Sequence, residues 1–342
     1  MIDWFSGFVG YDASQMPLGR VWEADRHGTL VRERARWETA QGSFESGVQV
    51  TRTVATDAML QASRELPYHL GSSQVLNISG NPVKYLQGHN ATGPSVALLG
   101  PVLQGLVRAF PEDLRPPDAD VAMLPVVHRS RVDVNTLVDL GSHQAVHDWL
   151  QLAETKGRSR HGRAVNSDGT VYFGKNSTRW AMKMYCKHCE LQKHPPADTE
   201  LLADLLEWTR TFLRIELVLR RPELKDRGTL SEAVIWEFFS KLELNTMRVN
   251  SYTEAKARLP MKMKVVLALW HGGTDMKTFL PERTFRRHRK EILAVTGIDL
   301  ALPAAQQSCE AAPVLLGMDE LLKREVKDVP QRIQRSLFGA GV

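Results

Sequence analysis

Leu213-Arg214-Ile215-Glu216-Leu217-Val218-Leu219-Arg220 sets an apolar side chain at every second position, with Arg214, Glu216 and Arg220 interleaved. A period of two sends successive side chains to opposite faces of a strand. Leu213, Ile215, Leu217 and Leu219 therefore form an apolar face, and Arg214, Glu216, Val218 and Arg220 the other. Thr178 to Tyr185 repeats the pattern, with Trp180, Met182 and Met184 on one side and Lys183 and Tyr185 on the other. It closes a hairpin with Val171 to Phe173 around Gly174-Lys175-Asn176-Ser177. Arg131-Val132-Asp133-Val134-Asn135 is a third such strand, whose polar face carries Arg131, Asp133 and Asn135. If the three adjoin in one sheet, their polar sides line a single cleft in which acids stand beside cations.

Working outward, the first 60 residues mix short apolar alternations with Gly and charged turns, as in Gly42 to Val50, and read as antiparallel strands. Gly71 to Leu86 reads as a strand pair turning at Gly80-Asn81-Pro82. Ser95 to Phe110 has helical spacing, with Pro101 starting or kinking it. Ser142 is placed as the N-cap of a helix lined by Val146, Trp149, Leu150 and Leu152. Lys187 to Gln192 suits a helical turn, and Thr199 to Phe212 a helix. This order predicts an α+β catalytic domain over residues 1–228, a mostly antiparallel sheet covered by helices. Residues 229–342 read as a smaller helical C-terminal DNA-binding domain, punctuated by Gly272-Gly273, Pro281 and Gly297 and ending in a helix from Met318 to Leu337.

With 342 residues, 43% hydrophobic and 24% charged, the chain can bury a substantial core. A pI near 9.1 and clustered Arg and Lys point to an anionic partner, nucleic acid above membrane. No stretch approaches the roughly 20 apolar residues of a membrane span, and Met1 to Gly10 lacks a signal peptide's features, so no membrane partner and a cytoplasmic location are expected. Three cysteines, Cys186, Cys189 and Cys309, are too few for a disulfide framework. Cys186 and Cys189 have the spacing of a zinc half-site, with His188 and His194 nearby. A tetrahedral site needs four ligands and the sequence offers no second Cys pair, so they read as two semi-buried thiols at a strand end.

Lys156, Arg158, Arg160 and Arg163 fall among Gly, Ser and His with no acid, a flexible basic strip suited to phosphate contacts or to simple solvation. In Thr284 to Leu293, helical spacing turns Phe285, Ile292 and Leu293 inward and Arg286, Arg287, Arg289 and Lys290 outward, as in the recognition helix of a helix-turn-helix. A Mg²⁺ or Mn²⁺ ion prefers carboxylate oxygens and polarises a phosphate. A tyrosine nucleophile needs a nearby cation or base, and Lys183 shares its strand face. The ordinary alternatives are cross-strand charge pairs and a packing tyrosine.

Met1-Ile2-Asp3, Asn81-Pro82-Val83-Lys84-Tyr85-Leu86-Gln87-Gly88-His89-Asn90, Ser130 to Asp133, Thr170 to Glu190 and Leu213 to Leu224, taken in order, resemble the replication initiators of filamentous phages. These are relatives of rolling-circle endonucleases, and the Leu-Gln-Gly-His-Asn core is the most diagnostic part. The resemblance implies nicking of the plus strand at a double-stranded origin, with a phosphotyrosyl bond that later rejoins the displaced strand. It implies host helicase and polymerase as partners, in the host bacterial cytoplasm. It puts the nucleophile at Tyr185, just before Lys187-His188-Cys189-Glu190-Leu191, and acidic positions at Asp133, Glu190 and Glu216, candidate ligands for Mg²⁺ or Mn²⁺, with His89 a further candidate. The His-hydrophobe-His metal triplet of related rolling-circle enzymes is absent. A DNA-binding regulator without chemistry, and a nuclease using activated water, are the competing readings.

Overall fold

The structure is a computed structural model, and it describes residues 1–57, 74–120, 126–228, 230–243, 256, 259–296, 298–303 and 317–335. The chain opens with β1 (Ile2–Asp12), the hairpin β2 (Arg20–Ala24) and β3 (Leu30–Ala35), then β4 (Glu38–Gln41), β5 (Gly47–Val54) and β6 (Gln74–Gly80). Helices α1 (Pro82–Gln87) and α2 (Leu99–Arg108) lead to β7 (Val126–Asp139) and α3 (His143–Lys156). Short strands β8 (Arg158–Ser159), β9 (Gly162–Arg163) and β10 (Val165–Ser167) precede β11 (Thr170–Phe173) and β12 (Trp180–Cys186). Then come α4 (Lys187–Lys193), α5 (Thr199–Trp208), β13 (Phe212–Arg220), α6 (Arg221–Arg227), α7 (Glu232–Phe239) and β14 (Leu242–Glu243). The last elements are α8 (Met261–His271), α9 (Met276–Phe279), α10 (Glu282–Thr296) and α11 (Met318–Leu322).

The fold is α+β. Nine strands form one sheet in the order β10-β11-β12-β13-β7-β1-β6-β5-β4, and every neighbouring pair is antiparallel. The three alternating strands of the sequence do adjoin: Lys183 pairs with Glu216, and Glu216 with Asn135. Their apolar sides, including Met182, Met184, Ile215, Leu217, Val132 and Val134, are buried in the main core. Helix α3, capped by Ser142 as expected, adds Val146, Trp149, Leu150 and Leu152 to that core.

Beyond residue 228 the chain serves two cores. Phe238 and Phe239 of α7 and Met318 and Leu321 of α11 join the core of the large sheet. Helices α8 to α10 enclose a separate one around Met263, Leu267, Trp270, Phe285 and Ile292.

Three local expectations are corrected. The segment after Asn81 is helix α1 and not a second strand, because Pro82 suits the first helical turn and the Asn81 side chain accepts from the Lys84 amide. The last helix ends at Leu322, and Glu325 and Val326 bond to the outer end of β7 instead. The basic strip is a tight hairpin of β8 and β9, with Gly162 at φ +101°, and not a flexible loop. The segments 71–73, Gly297 and 336–337 of the sequence reading lie outside the described residues.

Candidate active site

The polar faces of β12, β13 and β7 carry Lys183 and Tyr185, Arg214 and Glu216, and Asp133 and Asn135. Strand β1 adds a group that sequence reading left out. Its register with β7 shifts between Ile2 and Trp4, so Asp3 sits in a bulge and is turned onto this face. Oxygens of Asp3, Asp133 and Glu216 lie within 4.8 Å of one another, and all three residues are buried.

Cations answer this charge. Arg214, fully buried, reaches Asp3 at 2.8 Å and Glu216 at 3.1 Å. The Lys183 ammonium is 2.5 Å from Glu216 and 3.8 Å from Asp133, and Arg131 is 2.5 Å from Asp133. Burial pulls the Glu216 carboxyl upward, but Arg214 and Lys183 overcome it and hold it at about 2. At Asp3 and Asp133 burial dominates and raises the carboxyl despite Arg214 and Arg131. The Tyr185 hydroxyl donates to Glu216 Oε1, and burial raises this phenol well above its ordinary value against the pull of Arg214.

The Leu-Gln-Gly-His-Asn stretch explains itself here. Gly88, at φ +86°, ends α1 in the left-handed conformation and starts a loop that folds back over the site. Gln87 pins that loop by donating to the carbonyls of His89 and Thr92 at 3.1 and 2.8 Å. Asn90 is its working end. Its amide donates to Asp3 at 2.9 Å, its side-chain oxygen accepts from Lys187 at 2.8 Å, and its carbonyl accepts from Arg214. Sequence reading assigned no site role to Asp3, Asn90 or Arg214, although all three lie within the motifs that carried the resemblance and Arg214 also on a polar strand face.

His89 is not brought to the carboxylates. It is 2% exposed, bonded through Nε2 to the Ile333 carbonyl at 3.2 Å, and its Nδ1 accepts from the Ala91 amide. Burial lowers it to about 4. Glu190 also stands apart from the trio, ion-paired at 2.5 Å with the buried Lys187. It does share with Tyr185, Lys183 and Tyr172 a cleft of about 700 Å³. Asp3, Asp133 and Glu216 do not line that cleft, whereas Lys183 and Tyr185, which bond to Glu216, do.

Of the expected DNA contacts, Arg158, Arg160 and Arg163 are exposed on the β8–β9 hairpin, and the Lys156 side chain lies outside what is described. Arg286, Arg287 and Lys290 are placed on α10, all three exposed. Arg289 departs from the expectation of a free outward cation: Asp299 holds it at 2.5 and 2.7 Å, and it borders the cleft.

Together these features define an α+β protein built around a tyrosine whose hydroxyl is held by a buried carboxylate cluster. The family described as replication-associated protein, N-terminal, matches residues 1–249, and the chain belongs to that family. It is 27% identical over 369 positions to the replication-associated protein of Enterobacteria phage I2-2, covering 99% of this chain and 98% of that protein. It is thus a replication-associated protein of phage type. No helix among the described residues is long and apolar enough to cross a membrane.

Proposed function

We propose that the chain initiates rolling-circle replication by nicking one strand at a phage origin and rejoining it, in the host bacterial cytoplasm. One observation carries the reading: in a chain of this family, the Tyr185 hydroxyl points at Glu216 within a three-carboxylate cluster beside a cleft. Tyr185 attacks the scissile phosphorus. A phenolic O–P bond forms as the P–O3′ bond breaks, the proton lost by the phenol is matched through solvent by the one the leaving 3′ oxygen gains, and the 5′ phosphate stays on the protein. No water is consumed, so attack by a 3′ hydroxyl on the phosphotyrosine reverses the step and seals the strand.

Glu216 accepts the phenol's hydrogen bond and orients it. Lys183 and Arg131 keep 22% and 39% of their side chains exposed, enough to turn onto a phosphate, whereas Arg214 at 0% is fixed scaffolding. The donors suit a hard divalent cation. Asp3, Asp133 and Glu216 offer oxygen only, and Asn135 beside them has both amide atoms buried without a partner among the described residues. Mg²⁺ or Mn²⁺ held there supplies Lewis-acid polarisation of the phosphate. Double-stranded origin DNA and its plus strand are the substrates, and host helicase and polymerase are the partners implied.

The test is product analysis on a supercoiled plasmid carrying the cognate origin. A covalent 5′-linked protein is expected. A free 5′ phosphate would mean a nuclease using activated water, and intact DNA a regulator. Tyr185→Phe should bind the origin and form no adduct; an SDS-resistant adduct from that variant would move the nucleophile elsewhere, first to Tyr172 in the same cleft.

A further inference from the structure

We infer that His143, His147, Cys186 and Cys189 form a tetrahedral zinc site that clamps helix α3 to the junction of β12 and α4. The four donor atoms lie within 4.8 Å of one another. Zinc bonds of about 2.0–2.1 Å to imidazole and 2.3 Å to thiolate imply tetrahedral edges of roughly 3.3 Å between nitrogens and 3.6 Å between nitrogen and sulfur. The observed edges are 3.2 Å from His143 Nε2 to His147 Nε2, and 3.4 and 3.5 Å from those nitrogens to Cys189 Sγ. Three of the four donors are therefore already spaced as a metal would hold them, with Cys186 Sγ inside the same 4.8 Å.

Local structure supplies the ligands in two pairs. His143 and His147 are four apart on α3, hence on one helical face. Cys186 ends β12 on the α3 side of the sheet, and Cys189 follows in the first turn of α4, the two-residue spacing common to zinc knuckles. The second pair is invisible to cysteine spacing, because it consists of histidines on another element, while the histidines nearest in sequence serve elsewhere. His188 donates through Nδ1 to the Leu206 carbonyl at 2.9 Å, with its ring edge-on to His143. His194 is exposed and outside the group.

Binding displaces one proton from each thiol to solvent and uses two neutral imidazoles. The filled site is neutral overall, which suits its partly buried place. The consequence for the site is positional. Tyr185 precedes one ligand and Glu190 follows another, so the ion fixes the strand end that presents the tyrosine on the opposite face. This holds whether or not Tyr185 is the nucleophile.

The full-length protein, purified under reducing conditions, should contain about one zinc per chain. Replacing zinc with Co²⁺ should give the intense visible bands of a tetrahedral ion and a near-ultraviolet thiolate charge-transfer band. Cys189→Ser should lose both metal and thiolate band. His147→Ala, a change at an exposed position, should lose the metal while keeping the parent's circular dichroism. Asp133→Asn should retain them, which separates this site from the carboxylate cluster. A parent protein that takes up neither added Zn²⁺ nor Co²⁺, a Cys186–Cys189 disulfide in place of metal, or bands that survive both ligand variants would each overturn the inference.

Discussion

Asp3 illustrates how much one carboxylate can organise. It accepts from Asn81, Asn90 and Arg214, and its loss would strand a guanidinium that has no access to water. Breaking a buried pair on one side costs about 3–5 kcal/mol. Asp3→Asn should therefore lower stability by that order as well as nicking, seen as a drop in the urea midpoint. Asp133→Asn and Glu216→Gln, which remove charge from candidate metal ligands, should depress nicking and raise the Mg²⁺ or Mn²⁺ needed. Unaltered metal dependence in the double variant would make these acids structural. His89 yields a pH dependence. Its folded value of about 4 lies below the ordinary 6.5, so the unfolded chain takes the proton first. Its contribution is fully present above pH 6.5 and is lost as pH falls toward 4, to a limit of about 3 kcal/mol. In His89→Gln the fall in stability across that window should be shallower; an equal slope would show that His89 is not held neutral.

Among the elements, the β8–β9 hairpin sets two exposed arginines side by side. Arg158 and Arg163 face each other across the two strands, and neither has an ion pair among the described residues. Like charges in that position repel, and a phosphate between them removes the penalty. Replacing both with Ala should leave stability unchanged or slightly higher. Duplex affinity should lose salt dependence, the log–log slope becoming shallower by about 0.9 per lost phosphate contact. Helix α10 behaves differently along its length. Arg286→Ala, Arg287→Ala and Lys290→Ala together should weaken origin-duplex binding more than cleavage of a single-stranded oligonucleotide. Arg289→Ala should instead loosen the module, since Asp299 binds both this side chain and Gln151 of α3. Unchanged duplex affinity and slope in the triple variant would leave α10 without a recognition role. The helices of long, clear period were legible in the sequence. Helix α1 was not, because Asn81-Pro82 serves equally as a turn between strands or as a helix start, and six residues are too short for periodicity to decide.

Across the whole molecule, the polar faces of three strands could be read as one cleft because each alternates cleanly, and the sheet joins β12, β13 and β7 as neighbours. What stayed hidden depends on distant pairing. Asp3 and Arg214 are 211 residues apart, and no local pattern announces that the first strand lies beside the seventh. The histidines that face Cys186 and Cys189 were hidden for the same reason, lying on a helix more than three dozen residues upstream. This topology also sets when the protein becomes active during its manufacture. Strand β1 is made before the other strands of the sheet, yet it is flanked by β6 and β7 within the finished sheet, and its acid awaits β13. At about 5–20 residues per second, some 10–40 s of synthesis separate Asp3 from Arg214. Until β6 and β7 have emerged the nascent chain exposes an unpaired strand, a task for chaperones, and until β13 follows the Asp3 carboxylate lacks its guanidinium. A polypeptide cut short before residue 212 would carry Tyr185 but none of the β13 groups that surround it.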